Sequence, residues 1–166
     1  MALLPIKKYP EKVLKEKAAP ITEFNSKLKK LSEDMIETMY KEIGCGLAAN
    51  QVGVLDRIFV LDVSEEGDTP LVFINPEIIG NQGKVKSEEG CLSIPGFREI
   101  IERSEKVKVK AQDVAGNFFE LEAEGLMSRA IQHELDHLDG VLFIDRLSHL
   151  KKQLFKKWLE KNQDFD

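Results

Sequence analysis

Cysteine is almost absent from this chain: Cys45 and Cys91 are the two thiols in 166 residues. Two are too few for a disulfide framework, so an apolar core must hold the fold, and a reducing compartment is the simpler setting. No stretch reaches the roughly 20 consecutive apolar residues that a membrane span requires. The opening Met1-Ala2-Leu3-Leu4 is too short for the apolar core of a signal peptide, and Pro5 interrupts it. A cytoplasmic protein is the expectation, or an organellar one if a targeting segment has been removed. Positive charge is not in excess: 24 Lys and Arg stand against 29 Asp and Glu, a formal net charge of −5. That balance disfavours a broad nucleic-acid surface; neither a membrane nor a sequence-specific nucleic-acid partner is expected. Repeats and low-complexity linkers are lacking as well.

What is present suits a soluble globular protein, with 42% hydrophobic and 32% charged residues. The length fits a single domain over 1–166, of which 148–166 form a basic C-terminal helix and tail. Pro5, Pro10 and Pro20 favour an extended start. Phe24, Leu28, Leu31, Met35, Met39 and Ile43 recur at spacings of three and four. That spacing predicts an amphipathic helix capped by Asn25 and stopped by Gly44. Residues 57–63 and 71–74 read as short strands. Val107, Val109 and Ala111 alternate with Lys106, Lys108 and Lys110; Phe119, Leu121 and Ala123 alternate with Glu120, Glu122 and Glu124. Around Val114-Ala115-Gly116-Asn117 these runs predict a hairpin with one wet face, on which Lys and Glu pair. Helical patterning returns over 126–139 and again from about Ser148. There Leu147, Leu150, Leu154 and Trp158 form the predicted apolar stripe, with Lys151, Lys152, Lys156, Lys157 and Lys161 around it. Helix, strands, then helices indicate an α+β fold.

The sharpest chemical signal is His133-Glu134-Leu135-Asp136-His137. Residues i and i+4 of a helix lie about 40° apart around its axis, so both imidazoles can face one metal ion. Glu134 then meets a metal-held water rather than the metal. A charged surface helix with two histidines is the plain alternative. The third ligand decides the class. One protease class places a histidine six residues after the motif, but Phe143 stands there and cannot coordinate. Another class takes a glutamate from a later helix. Glu160 is the nearest such residue and reads more simply as surface charge; His149 reads as exposed. Upstream, Glu89-Gly90-Cys91-Leu92-Ser93 puts a thiol in a glycine-containing loop between strands. Two imidazoles, a thiolate and a water make a four-coordinate site with an open position. Taken alone, Cys91 reads more simply as a buried free thiol; the HExxH helix, lacking a downstream ligand, reverses that preference.

A third segment runs Gly44-Cys45-Gly46-Leu47-Ala48-Ala49-Asn50-Gln51-Val52-Gly53. Its small residues permit close backbone approach to a ligand. It lacks the ending of a phosphate loop and follows no clear strand. A helix stop and tight loop is the other reading.

These three segments, in this order across roughly 44–140, resemble the peptide deformylase family. The quoted matches are Gln51-Val52-Gly53, Glu89 to Ser93, and Gln132-His133-Glu134-Leu135-Asp136-His137-Leu138. The resemblance implies a deformylase-like α+β fold, mixed and antiparallel strands packed around a central HExxH helix. It implies Cys91, His133 and His137 as metal ligands. Fe(II) is the implied physiological metal, with Zn, Ni or Co able to occupy the site; ligand types alone point to zinc. The implied reaction removes the formyl group from N-formylmethionyl nascent peptides. Hydroxide generated on the metal attacks the formyl carbon, and Glu134 serves as general base, then acid. Gln51 and the Leu92 N–H are implied stabilisers of the formyl oxygen.

For the substrate, the resemblance implies backbone pairing at Cys45, Gly46 and Gly90, Arg98 nearby, and a Glu89–Arg103 pair bracing the site. Leu126, Arg129 and Ala130 share the helix face of His133 and are expected to line the methionine pocket. Arg129 departs from the apolar residue usual in relatives. Its stem can line the wall, or it is a surface arginine. Ribosome docking through the basic C-terminal helix is a further implication, against which the acidic end of the tail, Asp164 and Asp166, weighs. Two rivals stay open here: an HExxH metallopeptidase, and a catalytically inactive metal-binding module.

Overall fold

The computed structural model describes residues 2–162; Asp164 and Asp166 of the tail lie outside the described residues. The first helix, α1 (Ser26–Lys41), starts where its cap predicts: Asn25 Oδ1 accepts from the Leu28 N–H at 3.1 Å. Its end differs from the sequence expectation. Ile43, not Gly44, takes the left-handed conformation at φ 57°, while the Gly44 N–H reaches the Met39 carbonyl and the Ile43 N–H that of Tyr40. Ile43 is 93% exposed and so drops out of the apolar stripe.

The segment read as helix stop and loop contains a short strand, β1 (Gly46–Ala48), then a 3-10 turn over Ala49–Val52. The strands β2 (Ile58–Leu61), β3 (Leu71–Gln82), β4 (Val85–Cys91), β5 (Ile94–Arg103), β6 (Lys106–Gln112) and β7 (Phe118–Glu124) follow. Then come α2 (Gly125–Leu138), a 3-10 turn over Phe143–Arg146 and α3 (His149–Lys161), whose cap is Ser148. β1-β2-β3-β6-β7 form one antiparallel sheet, and β4-β5 form a separate hairpin. The architecture is α+β.

Strand alternation sorts the core. In β2 every residue is buried: Ile58 and Val60 join Met35 and Met39 of α1, while Phe59 and Leu61 join Ile131 and Leu138 of α2. The sheet is therefore covered by α1 on one face and α2 on the other. β6 and β7 form the expected hairpin, and its register sets Lys106 opposite Glu124, Lys108 opposite Glu122 and Lys110 opposite Glu120. The wet face carries the Lys–Glu contacts, including Lys108–Glu120 at 3.3 Å.

Two further expectations are corrected. Cys91 is not in an open loop but at the end of β4, paired with Ile94 across the turn Leu92-Ser93. Glutamates and a glycine disguise β4 as a loop, yet Glu89 is buried against Arg103. In α3 the buried face is Phe155 with Trp158, whose rings meet Phe97 of β5. Leu150 and Leu154 are 69% and 48% exposed. Trp158 lies about 60° from Phe155 around the helix and the two leucines about 100° or more, so the approach of β5 selects the aromatic face.

Candidate metal centre and active-site cleft

The helix α2 is fixed at its C-terminal end by Arg57, whose Nη1 donates to the Leu138 carbonyl at 3.1 Å and whose Nη2 meets Asp139 Oδ1 at 2.9 Å. A cation there complements the helix dipole and adds a second donor to a carbonyl that also accepts from the Ala18 N–H. One turn apart on this helix, His133 and His137 bring their Nε2 atoms within 3.2 Å of each other. Cys91 Sγ lies 3.4 Å from His137 Nε2. Among the described residues, these three form the His/Cys/Asp/Glu group whose ligand atoms converge, all within 4.8 Å of one another.

The spacing suits a shared cation. A tetrahedral ion with bonds of about 2.0 Å to nitrogen and 2.3 Å to sulfur has donors roughly 3.3–3.6 Å apart. Protonation states agree with this fit. Burial and the neighbouring His133 hold the His137 imidazole well below its ordinary range, in the neutral, ligating form. Burial also pulls His133 down, but its hydrogen bonds to Cys91 and Glu89 outweigh that and hold it well above its usual value. The same partners favour a metal cation in place of that proton. A soft thiolate with two imidazoles is a donor set for Fe, Zn, Ni or Co rather than for calcium or magnesium.

Behind these three residues stands a buried ionic chain. Glu89 Oε1 lies 2.9 Å from His133 Nδ1. An ionised carboxylate only accepts, so Nδ1 carries the proton and Nε2 is left free to ligate. Burial pushes the Glu89 carboxyl up, but the Arg103 and His133 hydrogen bonds prevail and bring it down to about 2. Arg103 grips Glu89 through Nε at 2.8 Å and Nη2 at 2.9 Å, and reaches Asp136 through Nη1 at 2.6 Å. Asp136 and its second partner, Arg146, were not singled out from the sequence, where both stand among other polar and charged residues.

Glu134 is 4% exposed, and its Oε1 has no hydrogen-bond partner among the described residues. Burial pushes its carboxyl up to about 7. A Cβ on Gly46 would stand 2.6 Å from Glu134 Oε2, which explains the glycine there. Gln51 is anchored by its Oε1, which accepts from the Ala48 N–H at 3.0 Å, and its Nε2 donates to Ser93 Oγ at 3.2 Å. That Nε2 also lies 3.5 Å from Cys91 Sγ.

A cleft of about 460 Å³ opens over this group. It is lined by Cys45, Gly46, Gln51, Gly90, Cys91, Leu92, Arg98, Leu126, Arg129, Ala130, His133 and Glu134. The residues singled out for the site from the sequence are thus at the cleft except His137 and the bracing Arg103, which lie buried outside its lining. Arg129 is half-buried in the wall. Arg98 extends over Gly90, where a Cβ would meet its Nη1 at 2.6 Å, and pairs with Glu88 at 2.7 Å. Ile43, Glu88 and Phe97 also line the cleft and were missed. Phe143 is buried with its ring 6.1 Å from that of His133, while His149 and Glu160 are exposed on α3.

A family model described as polypeptide deformylase matches residues 3–153. The chain belongs to the peptide deformylase family. It is 55% identical over 159 residues to the peptide deformylase of Thermodesulfovibrio yellowstonii, covering 95% of this chain and 96% of that protein. It is 52% identical to that of Acidobacterium capsulatum, covering 98% and 97%. The crystal structure of a peptide deformylase from Legionella pneumophila superposes with a TM-score of 0.91 at 42% identity, covering 97% of this chain and 95% of that one. As a deformylase the chain is an enzyme of a metal-dependent family, and its cleft already contains a group able to hold the ion.

Proposed function

We propose that the deformylation of N-formylmethionyl peptides takes place in this cleft, with Cys91, His133 and His137 holding one divalent cation, Fe(II) in the cell. The convergence of three donor atoms beside the buried carboxylate of Glu134 carries this reading. When bound, the cation supplies Lewis-acid chemistry and makes water acidic enough to react near neutral pH. Glu134 takes the proton of the attacking water and delivers it to the leaving amine, which departs poorly unless protonated. Gln51 Nε2 and the Leu92 N–H stabilise charge on the formyl oxygen, each donor being worth about 100- to 1000-fold in rate. Gly46 keeps the floor so close to Glu134 that formyl fits and bulkier acyl groups do not. Backbone at Cys45, Gly46 and Gly90 pairs with the peptide, with Arg98 beside it. Leu126, Ala130 and the stem of Arg129 receive the methionine side chain.

The test compares formylated and unformylated methionyl peptides with the metal removed and restored. Only the formylated peptide should be hydrolysed, and only with metal. Glu134→Ala should keep its metal by elemental analysis and lose turnover; near-normal turnover would refute the assignment. Anaerobic purification should yield iron at Cys91, His133 and His137.

The setting belongs to the same reading: the cytoplasm, where formylated chains emerge. Among the described residues no helix is long and apolar enough to cross a membrane. Docking to ribosomal RNA through Lys152, Lys156, Lys157 and Lys161 of α3 is supported by their exposure beside Leu150 and Leu154. Co-sedimentation with ribosomes should weaken when these lysines become glutamates, and unchanged co-sedimentation would remove this part of the reading.

A further inference from the structure

We infer that Arg146 is a positioning residue for the metal centre, acting through Asp136, Arg103 and Glu89 on the His133 ring. The inference rests on the reading that Cys91, His133 and His137 hold a cation. Arg146 lies in the turn after α2, outside the cleft, with 46% of its side chain exposed. Its guanidinium holds both oxygens of Asp136, Nε to Oδ2 at 2.6 Å and Nη2 to Oδ1 at 2.7 Å. Asp136 Oδ2 also takes Arg103 Nη1. The rest of the chain is sequestered: side-chain exposure is 12% for Asp136, 2% for Arg103 and 10% for Glu89. Charge requires the outer member. Without Arg146, two buried carboxylates share the single guanidinium of Arg103, and Asp136 competes with Glu89 for its fork. Glu89 then loses the hold that sets the His133 tautomer and ring angle. Partners of this kind, one step from a ligand, alter metal affinity by about 10- to 100-fold. Arg146 stands further out, so an effect of about threefold to tenfold is expected.

The experiment loads wild type, Arg146→Met and Arg146→Lys with Co(II), records the visible spectrum, and follows metal release to a chelator. Metal-free thermal unfolding is measured alongside. Arg146→Met should release Co(II) about threefold to tenfold faster, with shifted absorption bands. Arg146→Lys, a point charge lacking the fork, should lie between it and wild type. Release and spectrum matching wild type in Arg146→Met, even with lowered metal-free stability, would overturn the inference. Should Arg146→Met not fold, Arg146→Lys decides alone, faster release supporting and unchanged release overturning. Wild type that takes up no Co(II) with thiolate absorption would sink the metal assignment itself, a distinct outcome.

Discussion

At Gly46 a single hydrogen atom keeps the cleft open. A methyl group there would collide with Glu134 Oε2 at 2.6 Å, and Glu134 is buried too tightly to step aside freely. Gly46→Ala should retain its circular dichroism spectrum and lose roughly 100-fold or more in kcat/KM, the scale of a misplacement near 1 Å. Gln51→Ala should lose about 100- to 1000-fold in kcat with the metal retained. Glu134, His133 and His137 were legible because helical spacing alone places them together. Cys91 was legible only by eliminating downstream ligands and by resemblance. Asp136 and Arg146 were not: a pair of opposite charges in sequence says nothing of burial, and surface pairing is the ordinary outcome for both residue types. Ile43 misled for a different reason. Its side chain continued the α1 period, but the helix stop rotates it out into the cleft.

Elements with one wet face were read well, and elements whose polarity is internal were not. The alternation in β6 and β7 survives intact because Lys and Glu do face solvent. β4 was hidden because its Glu89 is paired inside the protein rather than hydrated. The α2 helix depends on its apolar back: Ile131 is fully buried between it and the sheet. Ile131→Ala should cost about 2–5 kcal/mol in denaturant unfolding. The turn after β2 offers a pH test away from the cleft. Burial pushes the Asp62 carboxyl up, but hydrogen bonds from Ser64, Tyr40 and the Thr69 N–H outweigh it and bring it from 3.8 down to about 2. A depressed folded value means that this contribution is complete above the ordinary value and fades as pH falls through about 2. Burial and Asp62 raise the Tyr40 hydroxyl from 10.0 to about 12, so its contribution is complete below 10 and fades as pH rises through about 12. Asp62→Asn should therefore flatten the acid limb of a Tm-against-pH curve, and Tyr40→Phe the alkaline limb.

Over the whole molecule, the order of helices and strands made the α+β class legible, whereas the strand order did not follow from sequence. β3 pairs with β6, and the intervening β4–β5 hairpin leaves the sheet to pack with Phe143 and Phe155. That excursion depends on contacts far apart in the chain, which no local pattern records. It also divides the proposed ligands: the imidazoles ride on α2 against the main sheet, and the thiol rides on the hairpin. Held by the proposed ligands, the ion would act as a rivet between two lobes, fastening points 46 residues apart in sequence. Chelation should do more than silence turnover. It should speed amide exchange along β4 and β5 ahead of β2 and α1, and open the Leu92-Ser93 turn to proteases that spare the loaded protein.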